Sequence, residues 1–179
     1  MNKKTIWLTQ TAVMLALLIV LQAVTKALGQ LATGTFVNAV LAVSTLIAGG
    51  SSGLTVALLS PIFACVLGIA PNVVTVPAIM AGNCAYVLVL WKLCQSSWAR
   101  RIIAVVLAAI AKFAVLYALV QLVICGLLAD FLLAQGLLKQ PMLAMLNATF
   151  SWPQLFTALM GGAVAILIVP VLKKALHKT

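Results

Sequence analysis

The sequence predicts an all-α membrane protein: a compact bundle of six transmembrane helices in a single domain, residues 1–179, with both termini in the cytoplasm. Three observations lead there. Hydrophobic residues make up 65% of the chain and charged residues 7%, and the mean hydropathy is +1.27. A soluble domain carries about a quarter charged residues, so lipid has to be the solvent for most of this surface. Crossing the hydrocarbon core takes about 20 apolar residues per helix, and six spans therefore use most of the 179 residues and leave only short loops. Finally, the basic residues fall at the ends of the apolar runs, where membrane topology needs them.

Each element follows from local pattern. Helix one is expected over 6–28, behind Lys3 and Lys4. It has the outline of a signal peptide, but it is long enough to cross and five further runs follow. Gly29 to Gly34 reads as the first loop, and helix two as 36–48, stopped by the turn signal Gly49-Gly50-Ser51-Ser52-Gly53. Helix three covers 54–69 with an interruption at Ser60-Pro61, and Ala70-Pro71-Asn72 makes the next break. Helix four runs over 73–93 with Pro77 near its start. Ser96-Ser97 begin a polar turn, and Arg100-Arg101 open helix five, which continues to about residue 128. Residues 129–151 form the longest loop, apolar enough for a re-entrant or surface helix. Helix six spans 152–172 and ends in Lys173, Lys174, His177 and Lys178.

With six crossings and a cytoplasmic N-terminus, the inside holds Lys3, Lys4, Lys92, Arg100, Arg101, Lys173, Lys174 and Lys178. Only Lys26 and Lys139 fall outside, and Lys112 lies within helix five. That is a strong positive-inside bias, and it favours an even number of spans.

Composition also excludes. The net charge of +10 is spread over helix ends and forms no basic groove, so no nucleic-acid partner is expected. Cys65, Cys84, Cys94 and Cys125 sit in apolar runs without ligand spacing, as small buried hydrophobes do, and no metal or cofactor site is expected. Asn147-Ala148-Thr149 fits a glycosylation sequon, which matters only in a eukaryotic secretory lumen. No phosphate-cradling Walker A pattern occurs. Asp130 is the only acidic residue, a thin basis for proton or cation coupling, and His177 lies in the C-terminal tail. Nothing pairs a nucleophile with a base, so the chain reads as a non-enzyme. If it moves a solute uphill, another subunit supplies the energy.

Polar residues within the spans need a reason. Lys112 sits near mid-bilayer, where a lysine costs about 2.5–3.5 kcal/mol to insert, and no embedded carboxylate is available to pair with it. Snorkelling towards an interface, capping of broken-helix carbonyls and contact with an anionic or electron-rich ligand all fit. Asn83 matches its depth on helix four, and Tyr86 shares the Asn83 face. Tyr117 and Gln121 are neighbours on helix five, yet Tyr117 lies about 140° from Lys112 around the helix, so both reach one site only if the helix distorts. Gln22 and Lys26 share a face near the outer end of helix one. Asn38, Asn72, Trp152 and Gln154 open helices two, four and six at the outer side. Each amide alone is satisfied by an interhelical hydrogen bond, and Trp152 by a place in the aromatic belt. Together they gather at outer and middle depth and suggest a pocket that opens outward. Ala12, Ala16, Ala23 and Ala27 form a small-residue stripe on helix one, and Ala158, Gly161, Gly162 and Ala165 a second on helix six; such stripes let helices approach closely.

The chain resembles the S components of energy-coupling factor (ECF) transporters along essentially its whole length. Ala12-Val-Met-Leu-Ala16 looks like the family's AxxxA motif in helix one, and Phe36-Val-Asn38-Ala-Val-Leu41 and Ser60-Pro61 look similar to S components without assigned substrates. The resemblance implies a high-affinity binding subunit in a bacterial plasma membrane. It would capture a vitamin or similar micronutrient outside and release it inside, with a coupling transmembrane subunit docked at Ala12 and Ala16 and two ATPase subunits. By the same resemblance the ligand sits near the outer side, which makes Asn83, Lys112, Tyr117, Gln121, Trp152 and Gln154 candidate contacts beside Asn38 and Asn72. The ligand-specific motifs of thiamin, riboflavin, biotin and folate binders are absent. A membrane scaffold of cell-shape machinery and a small autonomous permease or flippase are the alternatives.

Overall fold

The computed structural model describes residues 2–70, 72–94 and 97–176. Pro71, Ser96, His177, Lys178 and Thr179, which figure in the expected breaks and in the C-terminal tail, lie outside the described residues. Among those residues the protein is all helix. The elements are α1 (Lys3–Thr25), α2 (Gln30–Ile47), α3 (Gly50–Val66), α4 (Val76–Leu93), α5 (Trp98–Leu116), α6 (Ala129–Ala134), α7 (Gln140–Thr149) and α8 (Trp152–Leu176). Five stretches are long and apolar enough to cross a membrane: Lys3–Leu28, Gln30–Ile47, Val73–Leu93, Trp98–Leu127 and Trp152–Leu176. Helix α3 is apolar and shorter, at 17 residues.

Helix α2 is the centre of the bundle, packed against α1, α3, α4 and α8, while α4, α5 and α8 close the circle around it. Leu18, Leu41, Val56, Val87, Leu90 and Ala158 are fully shielded in the core. Large apolar side chains such as Val20, Val24, Ile103, Leu167 and Val171 face outward, as a lipid solvent requires. Small residues set the tightest spacing. A Cβ on Gly161 would sit 2.6 Å from the Thr35 carbonyl oxygen and from Asn38 Cβ, so α2 and α8 touch almost backbone to backbone. At one end of the bundle the hydroxyls of Thr11, Ser52 and Ser44 form a buried chain at 2.9 and 3.0 Å. Inside a membrane every such group needs an internal partner, and this chain supplies it.

Several expected breaks are not breaks. Helix α2 begins at Gln30 rather than 36, and the expected first loop shrinks to Gly29, whose φ of 88° turns the chain. Gly34 stays helical and lies against the Thr157 side chain. Gly49 alone makes the next turn, at φ 93°. Gly50 and Gly53 are already in α3, where they let the Trp91 ring and the Thr45 and Val87 side chains come close. Pro61 is accommodated inside a continuous α3. Glycines that a sequence marks as turn formers thus serve mostly as contact points between helices.

Beyond α5 the winding changes. Tyr117–Leu127 forms a π-helix, with hydrogen bonds five residues apart such as Leu128 N–H to Val123 O at 2.8 Å. Residues 129–151, expected as the longest loop and apolar enough for a re-entrant or surface helix, carry the two short helices α6 and α7. Leu132, Leu138, Leu146 and Phe150 pack with Ala78, Leu116, Val120 and Ile124 as a second, smaller core that caps this end of the bundle.

Candidate binding cavity

Three helices deliver one polar residue each to a point inside the bundle. Lys112 of α5 donates from Nζ to Asn38 Oδ1 of α2 and to Asn83 Oδ1 of α4, both at 2.7 Å. The same nitrogen lies 5.8 Å from the centre of the Tyr86 ring, within cation–π range. Lys112 is 3% exposed and each asparagine 1%. An ammonium has three donors and no acceptor, so both amides have to turn their oxygens towards it and their nitrogens away. Hydrogen bonds to a charged group contribute about 1.5–3 kcal/mol each, and two of them offset an insertion cost of about 2.5–3.5 kcal/mol. The clamp solvates the ammonium with dipoles and leaves its charge uncancelled.

The clamp is braced from behind. Asn38 Nδ2 donates to Gly34 O at 2.8 Å, one helical turn back, and to Thr157 Oγ1 at 3.4 Å. Thr157 in turn donates to Gln154 O at 3.2 Å, and Gln154 Nε2 to Thr149 O at 3.1 Å. Tyr86 fixes its ring by donating from its hydroxyl to Ala158 O at 3.1 Å. The close approach at Gly34 and Gly161 is what brings Asn38 and Thr157 within reach of each other.

A cavity of about 220 Å³ opens beside the clamp. Its polar wall includes Gln22 and Lys26 from the end of α1, Asn38, Asn83, Lys112, and Gln154 from α8. Val37, Pro61, Ala64, Ile79, Leu116 and Phe150 add apolar surface. A mostly apolar recess with a few convergent polar groups is the usual form of a small-molecule site. An apolar cavity of about 150 Å³ holds benzene, so this one accommodates a molecule somewhat larger than a single ring. Among the described residues no group of histidine, cysteine or carboxylate side chains is arranged to hold a metal ion.

Four of the eight residues expected at the site from sequence line this cavity: Asn38, Asn83, Lys112 and Gln154. The other four lie outside its wall. Asn72 accepts from Val74 N–H at 2.8 Å and donates to Leu137 O and Met142 Sδ, both at 3.1 Å, pinning the start of α4 to the cap. Gln121 donates to Asn147 O at 2.8 Å and ties the π-helix to α7. Tyr117 is exposed and packs on Phe113, whose ring also stacks on Trp152 with centres 5.5 Å apart. Although the winding changes at Tyr117, the two residues still face different ways: the lysine in and the tyrosine out. Gln22 and Lys26, which the sequence grouped with the polar residues at outer depth but not with the ligand contacts, also enter the wall. The signal was their spacing with Gln30 and Thr33, which continues the polar face across the Gly29 turn.

Ala12 and Ala16 are both exposed on α1, as are Ala23 and Ala27, whereas Ala158, Gly161, Gly162 and Ala165 are buried within the bundle.

Fold and cavity together define a multi-pass helical membrane protein with a polar cavity among its helices. The family model of the ECF transporter substrate-specific component matches residues 7–173, and the chain belongs to that family. Proteins of this family are transporter subunits, not enzymes. No curated protein and no solved structure gives a significant match.

Proposed function

We propose that this protein is the capture subunit of an ECF-type importer. It binds a vitamin or similar micronutrient on the outer side of a bacterial plasma membrane and hands it inward with a coupling membrane subunit and two ATPases. The observation that carries this reading is the cavity itself. Three transmembrane helices hold a lysine in place through two amide oxygens, beside a recess large enough for a small molecule. A purely structural lysine would need no such recess. Asn38, Asn83, Lys112 and Gln154 then contact the ligand, Asn72 and Gln121 hold the cap beside it, and Tyr117 and Trp152 pack around Phe113 on the outside of the bundle.

In this reading α3 is the sixth crossing, at the short end of the lengths that span a bilayer. Both termini are cytoplasmic. Lys3, Lys4, Lys92, Arg100, Arg101, Lys173 and Lys174 then mark the inner face and the cavity lies nearer the outer one. The exposed alanines at 12 and 16 give the coupling subunit a flat face to pack on, since association of helices in lipid relies on close packing. The test is purification from native-like membranes. Capture predicts a bound small molecule in native mass spectrometry and a co-purifying ATPase. An empty protein that nonetheless transports alone in liposomes would assign it to autonomous permeases.

A further inference from the structure

The cavity wall states what kind of molecule completes it. Neither end of the Gln22 amide has a hydrogen-bond partner among the described residues, although the residue is only 8% exposed and lines the cavity, and its Oε1 is fully buried. A buried amide left unmatched in lipid surroundings is costly, and nothing on neighbouring helices reaches it. Rotation about the terminal side-chain bond turns either end of the amide towards a guest.

The other side of the wall is donor-rich. Lys112 uses two of its three N–H groups on Asn38 and Asn83. Asn83 has its oxygen committed to Lys112, and its Nδ2 has no partner among the described residues. Lys26 stands in the same wall, its Nζ donating to Gly68 O at 2.7 Å. Against these two cations the wall offers no carboxylate. The chain's single acid, Asp130, is exposed on α6. Lys112 is thus surrounded by dipoles but has no counter-charge.

Resting on the capture reading above, we infer that the substrate is a small organic carboxylate that also carries an N–H or O–H donor. Its carboxylate meets the free donors of Lys112 and Asn83, and its own donor meets Gln22 Oε1. A carboxylate accepts several hydrogen bonds at once and supplies the missing charge. Cations are excluded by Lys26 and Lys112, and a neutral amide satisfies Gln22 but leaves Lys112 without its counter-ion.

Three probes of nearly one size separate the elements: 4-aminobenzoate has both the charge and the donor, benzoate has only the charge, and 4-aminobenzamide has only the donors. The full-length protein in detergent, stripped of any bound molecule, is melted with each at millimolar concentration. The expected order of stabilisation is 4-aminobenzoate first, benzoate weaker, 4-aminobenzamide negligible. Gln22→Leu reduces the response to 4-aminobenzoate to that of benzoate. Lys112→Gln, which keeps a donor for one asparagine, removes the preference for the acid. Equal responses to the acid and the amide would overturn the inference, as would an unchanged preference in a folded Lys112→Gln variant. The molecule that co-purifies is identified in parallel by mass spectrometry. A neutral or cationic molecule there sinks the carboxylate assignment and leaves the capture function standing. A protein that carries nothing and responds to no probe removes both.

Discussion

Gly161→Ala tests how the closeness of α2 and α8 builds the cavity. The added Cβ meets the Thr35 carbonyl oxygen and Asn38 Cβ at 2.6 Å and the Ala39 nitrogen at 2.7 Å. Ordinary carbon contacts lie at about 3.5–4.0 Å, so the shortfall is roughly 1 Å. Two of the three obstacles are backbone atoms of α2 and the third is attached directly to it, so no side-chain rotation relieves the clash. The helices have to separate by about that distance. Overpacking of this kind costs about 1–3 kcal/mol, which lowers the melting temperature by several degrees for a chain of this length. The same displacement carries Asn38 away from Lys112 and stretches a 2.7 Å hydrogen bond beyond bonding range. Ligand affinity therefore falls together with stability. Detergent melts followed by fluorescence, beside equilibrium binding of the co-purified ligand, measure both. Ala163→Val on the exposed side of the same helix is the control and leaves both unchanged. A Gly161→Ala variant that melts with the parent and binds as tightly would refute the idea that this contact sets the geometry.

Other outcomes follow from the same structure. Lys112→Met leaves a folded protein, because the loss of two hydrogen bonds is balanced by removal of a buried charge, but it weakens ligand binding tenfold or more, about 1.4 kcal/mol; unchanged affinity would make the lysine purely structural. Tyr117→Phe keeps affinity within threefold, since the hydroxyl is on the exposed side of α5, and a large loss in titration would place that tyrosine at the ligand. Ala12→Trp with Ala16→Trp abolishes ATP-dependent uptake and co-purification of the coupling subunit while ligand binding persists, because both alanines face away from the bundle. Full uptake by that double variant would remove the docking role. Reporters fused after Thr179 and at Ser96-Ser97 both report the cytoplasm; a periplasmic signal at either site would break the six-span topology.

What the residues determine by themselves is partition. Runs such as 6–28 and 73–93 enter lipid because each residue's transfer free energy adds along the chain, and no neighbour is needed to compute it. The cost of a lysine at mid-membrane is likewise local, and it marked Lys112 as a residue with partners to find. Asn83, at the same depth, was visible for the same reason. The absence of phosphate-binding and metal-binding patterns needed no fold either.

Tertiary structure alone decided direction. Whether Gly34, Gly50 and Gly53 are turns or contact points depends on what lies opposite them, Thr157, Trp91, Thr45 and Val87, each brought there by another helix. Tyr117 and Gln121 share the depth of a site, but their rotation about the π-helix that continues α5 turns them to Phe113 and to α7. Gln22 looked like one more interhelical amide until the packing of α1 left its carbonyl without a donor and set the residue in the wall of a cavity. Depth in a membrane is a sum over one segment. Azimuth is a property of pairs of helices, and it is fixed only when small residues such as Gly161 let those pairs close.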